Sequence, residues 1–282
     1  MLPPEERLPQ IRELIAGKHY FIIHAPRQIG KTTLIRNLSR SLTAEGKYAA
    51  LTISLESFVS ADPAKIMPQL LAKLSRESVY FLPGELQPPQ VAEFTEDPLI
   101  ALEGYLSAWS GSLDRPVVLF LDEADSLAGP VLISLLHQLR DGYTARPKPF
   151  PQSVALVGLK DVRDYKIQVR PDTETLGTSS PFNIKVESLT MGNFGREEVA
   201  RLLHQHTEET GQRFEPDAME EIFHQTGGQP WLVNALANQL TTHYSAIVKD
   251  RAVPVTREHV LTAKEILIER RDTHLDSLVF RL

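Results

Sequence analysis

His24-Ala25-Pro26-Arg27-Gln28-Ile29-Gly30-Lys31-Thr32-Thr33 is the stretch whose reading decides the fold. The apolar run Tyr20-Phe21-Ile22-Ile23 leads into it, and a segment of helical character, Leu34 to Leu42, follows. A strand, a tight loop and Gly-Lys-Thr at the opening of a helix form the context that a phosphate-binding loop requires. In that arrangement the backbone N–H groups of Ala25, Pro26, Arg27, Gln28, Ile29, Gly30, Lys31, Thr32 and Thr33 (Pro26 excepted as a donor) surround one spot at a helix N-terminus, which suits a triphosphate. Lys31 is then the cation for the β- and γ-phosphates, and the Thr32 hydroxyl is a ligand for Mg²⁺. Ala25 stands where the pattern G-x-x-x-x-G-K-[ST] has its first glycine, so the backbone there must be one that alanine can adopt.

An ordinary strand–helix turn would match this pattern by chance, and a second motif decides between the two readings. Val117-Val118-Leu119-Phe120-Leu121 has the length and β-branching of a buried parallel strand and ends in Asp122-Glu123-Ala124-Asp125. A carboxylate at the end of a central strand is where a P-loop protein holds Mg²⁺, which assigns that role to Asp122 beside Thr32. Glu123, the next residue, is placed to take a proton from the attacking water as general base.

Composition sets bounds on the function. The chain has 282 residues, 42% hydrophobic and 23% charged, an ordinary globular balance with length for a sizeable core. It contains no cysteine, which excludes disulfides and thiolate metal sites. No apolar run approaches the roughly 20 residues of a membrane span, and Met1-Leu2-Pro3-Pro4-Glu5-Glu6 does not read as a signal peptide. The expectation is a cytoplasmic protein without a membrane partner. A net charge of −6 does not indicate a nucleic-acid binder, although a local basic patch remains open.

Along the chain, strands are expected at 19–25, 48–55, 116–122, 153–158 and 182–186, with helices at 31–45, 63–76, 98–109 and 130–141. Strands alternating with helices predict a parallel α/β sheet with ligand at the carboxyl ends of its strands. After Leu189 the pattern is helical only: Val199, Leu202 and Leu203 mark one face, Met219, Ile222 and Phe223 a second, Leu232, Leu236 and Leu240 a third, and Val260, Ala263 and Leu267 a last. Two domains are expected, 1–189 and 190–282, the second all-helical.

Taken together, these segments resemble P-loop ATPases of the AAA+/STAND kind, and in particular the prokaryotic AAA-like domain proteins. The likeness rests on Ala25-Pro26-Arg27-Gln28-Ile29-Gly30-Lys31-Thr32-Thr33, on Ser180-Pro181-Phe182-Asn183-Ile184, on Thr226-Gly227-Gly228-Gln229-Pro230-Trp231, and on Arg271-Asp272-Thr273-His274-Leu275-Asp276-Ser277-Leu278. Ala25 itself matches the family's variant of the loop. The resemblance implies an ASCE-type core in strand order 5-1-4-3-2, a helical lid, ATP as ligand with ADP as product, and a nucleotide-controlled switch. It implies a sensor role at the γ-phosphate for Lys160, after the fourth strand, and places Pro230 of the lid near the base. Proteins of this kind extend beyond the equivalents of both Met1 and Leu282, so a lid truncated at its C-terminus is expected.

Departures from the pattern shape the expectation. The lid turn lacks the second sensor arginine, and only Arg140, Arg163 and Arg170 are candidates for a finger acting on a neighbouring copy. A slow switch with a second copy or a protein as partner is therefore expected over a hexameric motor. A DNA-associated ATPase, and a module that binds nucleotide without turnover, stay open as alternatives. Arg146, Lys148, Arg163, Lys166 and Arg170 form a basic cluster better read as solvated than as a contact for phosphate backbones. His204 and His206 occupy alternate positions of one helix and do not face a common metal.

Overall fold

A computed structural model describes residues 4–94, 97–127, 129–159 and 186–270. The chain divides into two compact units, one built on Pro4–Arg27 and Lys31–Met191, the other on Gln28–Gly30 and the residues from Gly192 on. Lys160, Arg163, Lys166, Arg170, Ser180–Ile184 and Arg271–Leu278, all named above, lie outside the described residues.

Five parallel strands form the sheet of the first unit: β1 (Tyr20–His24), β2 (Ala49–Ser54), β3 (Val117–Asp122), β4 (Ser153–Gly158) and β5 (Val186–Thr190). Their order is β2-β3-β4-β1-β5, the expected 5-1-4-3-2 read from the other edge. The register aligns the carboxyl ends: His24 lies opposite both Gly158 and Thr190, and Ser54 opposite Asp122. All six residues of β3 and all six of β4 are buried, as strands covered on both faces must be.

Helices α1 (Gln10–Ala16), α2 (Lys31–Ala44), α3 (Pro63–Phe81), α4 (Ala101–Gly111) and α5 (Gly129–Thr144) surround the sheet. One continuous apolar core joins Ile22, Leu51, Leu119 and Leu156 of the strands to Leu70 of α3, Trp109 of α4 and Leu135 of α5. Local chemistry sets the helix ends. Asp62 accepts from Ala64 N at 3.0 Å and Pro63 fills the first helical position, so α3 starts where the sequence marks it. It runs to Phe81, past the expected end at residue 76, because Ser78 continues the buried stripe of Leu70, Leu71 and Leu74.

One strand runs past the sequence expectation: the fifth strand is expected at 182–186, of which 182–185 lie outside the described residues, and the described strand takes in Val186–Thr190. Val186-Glu187-Ser188-Leu189-Thr190 carries polar side chains because, among the described residues, β5 is an edge strand paired with β1 alone, so hydropathy alone understates it.

The second unit is helical: α6 (Arg196–Thr210), α7 (Pro216–Thr226), α8 (Pro230–Asn238), a single π turn (Gln239–His243) and α9 (Arg257–Glu269). Val199, Leu203, Ile222, Val233, Leu236, Val260 and Ala263 form its core. Gln212 is fully buried there and satisfied, donating to Ile247 O at 3.0 Å and Val253 O at 3.1 Å and accepting from Arg251 at 2.8 Å. Among the described residues no helix is long and apolar enough to cross a membrane.

Candidate phosphate-binding site

Four of the residues singled out by sequence meet at the carboxyl edge of the sheet, where β1 and β3 end. Ala25 follows β1 directly, its N–H bonded to Gly158 O at 3.2 Å, and it is 1% exposed. Left-handed backbone occurs in the loop at Gln28 (φ 62°) and Gly30 (φ 97°), whereas Ala25 has no positive φ. The substitution at the pattern's first glycine is thereby explained, since this loop takes its sharp turn three residues later.

Lys31 opens α2 and is only 7% exposed; its ammonium donates to Ala25 O and Pro26 O, both at 2.8 Å. Burial holds its pKa below the ordinary lysine value, against the opposing pull of Glu123, Asp122 and Asp125. Thr32, one residue on, donates its hydroxyl proton to Asp122 Oδ2 at 2.6 Å, and Glu123 N donates to Asp122 Oδ1 at 3.0 Å. Both oxygens of the buried Asp122 carboxylate are therefore engaged.

A hydroxyl and a carboxylate that already share a proton across 2.6 Å are the hard oxygen donors that Mg²⁺ takes when phosphates complete its shell. The residues thus fit the ion. Glu123 sits beside them in a left-handed conformation, φ 56° and ψ 42°. Burial raises its pKa above the usual carboxylate range; repulsion by Asp122 and Asp125 adds to this, and Lys31 acts against it. A buried cation facing three acids and a loop of N–H groups can hold an anion and keep a carboxylate poised to accept a proton.

Other sequence-marked residues stand elsewhere. Pro230 is the first residue of α8 in the helical unit, behind Gln229, whose side chain caps the helix by accepting from Leu232 N at 2.6 Å. Arg140 is half-buried on α5. Arg146 is committed internally: it donates to Lys18 O, Pro151 O and Gln152 O and lies 4.2 Å over the Tyr143 ring, which removes it from the basic cluster read in the sequence. His206 bonds to Gln212 at 3.1 Å, and among the described residues no group of three or more His, Cys, Asp or Glu is placed to hold a metal.

Sequence reasoning passed over Ser126. Its hydroxyl lies 2.7 Å from Leu55 O and 2.7 Å from Glu123 O, and only the first of these contacts depends on the fold. A serine three residues after an acid at a strand end is a signal for a local hydroxyl-to-backbone bond, but it is a weak one.

A parallel sheet in 5-1-4-3-2 order, with a Gly-Lys-Thr loop leaving β1 and an Asp-Glu pair ending β3, defines a P-loop nucleotide-binding protein. The chain belongs to the AAA ATPase domain family, whose model matches residues 6–147. No curated protein matches it by sequence. Among solved structures, a Walker-type ATPase of Pyrococcus abyssi is similar over 100% of this chain and 76% of its own, with a TM-score of 0.66 at 15% identity. The Orc1 protein of Aeropyrum pernix, solved in complex with DNA, has a TM-score of 0.55 at 17% identity over 95% of this chain and 66% of its own. The RuvB Holliday junction branch migration motor of Thermotoga maritima has a TM-score of 0.52 at 15% identity, over 93% and 67% of the two chains. At these identities the likeness is one of fold.

Proposed function

We propose that this chain is a Mg²⁺-dependent ATPase that works as a nucleotide-controlled switch, with bound ATP and bound ADP specifying different states of the chain. The observation that carries the reading is the Thr32–Asp122 hydrogen bond of 2.6 Å, flanked by Lys31 and Glu123. It unites the metal-binding halves of two motifs 90 residues apart. The same reading takes 1–189 as the nucleotide-binding domain and 190–282 as a helical lid.

In the proposed reaction Lys31 and the N–H groups of residues 27–33 bind the β- and γ-phosphates, orienting the γ-phosphoryl for in-line attack. Thr32 and Asp122 would hold Mg²⁺, which supplies neutralisation of phosphate charge when bound. Glu123 accepts a proton from the attacking water, and a carboxylate of raised pKa is a better acceptor than an ordinary one. Lys160 as γ-phosphate sensor and Pro230 as base contact rest on the family resemblance alone. Turnover is expected to be slow, because a finger arginine supplied by a neighbour is worth about 10³–10⁵ in rate.

The fold likeness to Orc1 in complex with DNA and to the RuvB motor favours DNA as the second partner to test. The decisive experiment measures ATP turnover by the wild type and by Glu123→Gln, with and without DNA at low salt, and the solution mass with ADP or a non-hydrolysable ATP analogue. A switch gives slow turnover abolished by the substitution and a mass that differs between nucleotides. Stimulation by DNA supports the DNA-associated ATPase instead, and nucleotide binding with no turnover in any arm overturns hydrolysis.

A further inference from the structure

Glu123 is held neither by a strand nor by a helix. It occupies a single left-handed position between the end of β3 and a short 3₁₀ turn, Ala124–Ser126. For a non-glycine residue this backbone is uncommon and costs energy, and it persists where its surroundings fix it. The bonds that fix it are few. Ser126 N donates to Glu123 O at 2.9 Å, and Ser126 Oγ lies at 2.7 Å from that same oxygen. The hydroxyl is equally 2.7 Å from Leu55 O, the first residue past β2, whose N–H in turn donates to Asp122 O at 2.8 Å. On the opposite side Asp125 Oδ1 accepts from Leu159 N, the first residue past β4, at 3.1 Å. The acidic turn is thus tied to the ends of both strands that flank β3.

We propose that Ser126 is the positioning residue for Glu123. Its one proton is shared between two carbonyl oxygens that each already accept one backbone N–H, Glu123 O from Ser126 N at 2.9 Å and Leu55 O from Phe58 N at 3.1 Å, so the hydroxyl adds the link between them. By tying Glu123 O to Leu55 O it sets the peptide plane that follows Glu123, hence the ψ of the left-handed residue and the direction of its carboxylate. Asp125 braces the same turn from the β4 side but does not touch Glu123 O. Removing the Ser126 hydroxyl leaves the phosphate loop, Lys31 and the Thr32–Asp122 pair intact, because none of them is bonded to it. The effect therefore falls on the proton-accepting step and spares nucleotide binding.

This inference rests on Glu123 acting as general base, and the test separates the two. Wild type, Ser126→Ala, Ser126→Thr, Ser126→Cys, Glu123→Gln and the double variant Ser126→Ala/Glu123→Gln are compared for affinity toward a fluorescent ATP analogue and for single-turnover ATP hydrolysis with Mg²⁺. A positioned base contributes about 10²–10⁴ in rate, so losing its aim is expected to cost about tenfold in turnover. Ser126→Ala should lose that factor while its nucleotide affinity stays within about twofold, and Ser126→Thr should restore most of the rate. In the Glu123→Gln background the serine substitution should cost nothing further, because there is no base left to aim. Should Ser126→Ala fail to fold, which its nucleotide binding reveals, Thr active and Cys slow carry the same prediction. Wild-type turnover in Ser126→Ala overturns the positioning role, and so does a further loss on adding Ser126→Ala to Glu123→Gln as large as the loss it causes in the wild type. Wild-type turnover in Glu123→Gln overturns the base assignment beneath it.

Discussion

Gly228 carries the sharpest steric demand in the helical unit. Its φ is +70°, and a Cβ built there would stand 2.0 Å from Phe194 O, a backbone atom. Its neighbour Gly227 also has a positive φ, +55°, but a Cβ there meets nothing within 4 Å. The two alanine substitutions therefore separate backbone strain from overlap. Gly227→Ala incurs only the left-handed penalty, about 1–2 kcal/mol. Gly228→Ala incurs the same penalty and must also push the Phe194 carbonyl away by roughly 1.5 Å to reach an ordinary contact. That displacement breaks the Phe194 N→Gly228 O bond of 2.8 Å, which adds about 1–3 kcal/mol for backbone groups left unpaired. The expected totals are about 1.5 kcal/mol for Gly227→Ala and about 3.5 kcal/mol for Gly228→Ala.

Hydrogen exchange read over α7 and α8 measures the local opening free energy in each variant, and urea unfolding gives the global value. Both readouts should show Gly228→Ala the worse by about 2 kcal/mol. Equal losses in the two variants would refute the overlap argument. So would a Gly228→Ala chain as stable as the wild type, because no flexible side-chain end is available to give way.

Lys31→Ala is expected to abolish ATP binding, measured by calorimetry or fluorescent nucleotide; wild-type affinity would sink the loop assignment. Trp109→Phe removes the indole N–H that donates to Leu86 O at 2.9 Å in the core, and should cost about 1–3 kcal/mol in urea unfolding with nucleotide affinity unchanged. Arg146→Ala strips one guanidinium from three backbone carbonyls and the Tyr143 ring, so a loss of about 2–3 kcal/mol in stability is expected. Its affinity for DNA, measured by fluorescence anisotropy, should not change; a drop would return Arg146 to the basic surface.

The parts of the site that the sequence made legible are those whose chemistry is encoded by spacing within a few residues. Ala25 to Thr33 reads as a phosphate loop because each position has one local job, and Asp122-Glu123 reads as the acid pair because an apolar strand precedes it. Ser126 was not legible, since half of its role depends on Leu55 O, 71 residues away, which only the pairing of β2 with β3 brings near. β5 runs past its expected end at residue 186 for a related reason. An edge strand with one paired neighbour keeps Glu187 and Ser188, and its membership in the sheet is set by β1 rather than by its own hydropathy. Arg146 looked like one of several surface cations in sequence. Its partners are backbone carbonyls, which leave no trace in residue identity.

The same site residues also take part in holding the fold together. β3 and β4 are buried on both faces, so the usual alternation of inward apolar and outward polar positions cannot specify their register. Polar groups at their ends can. Ser153 opens β4 and donates to His19 O at 2.5 Å, while Asp122 closes β3 with its two oxygens bonded to Thr32 and to the Glu123 amide. A slip of β3 by one residue would carry Asp122 into the apolar interior without those donors, an uncompensated buried carboxylate. The residue proposed to hold the metal is therefore also a register stop for the strand that presents it. Its position 2.6 Å from Thr32 follows from the pairing of β3 with β4 and of β4 with β1. For this reason the two motifs, far apart in the chain, do not need a flexible loop to meet.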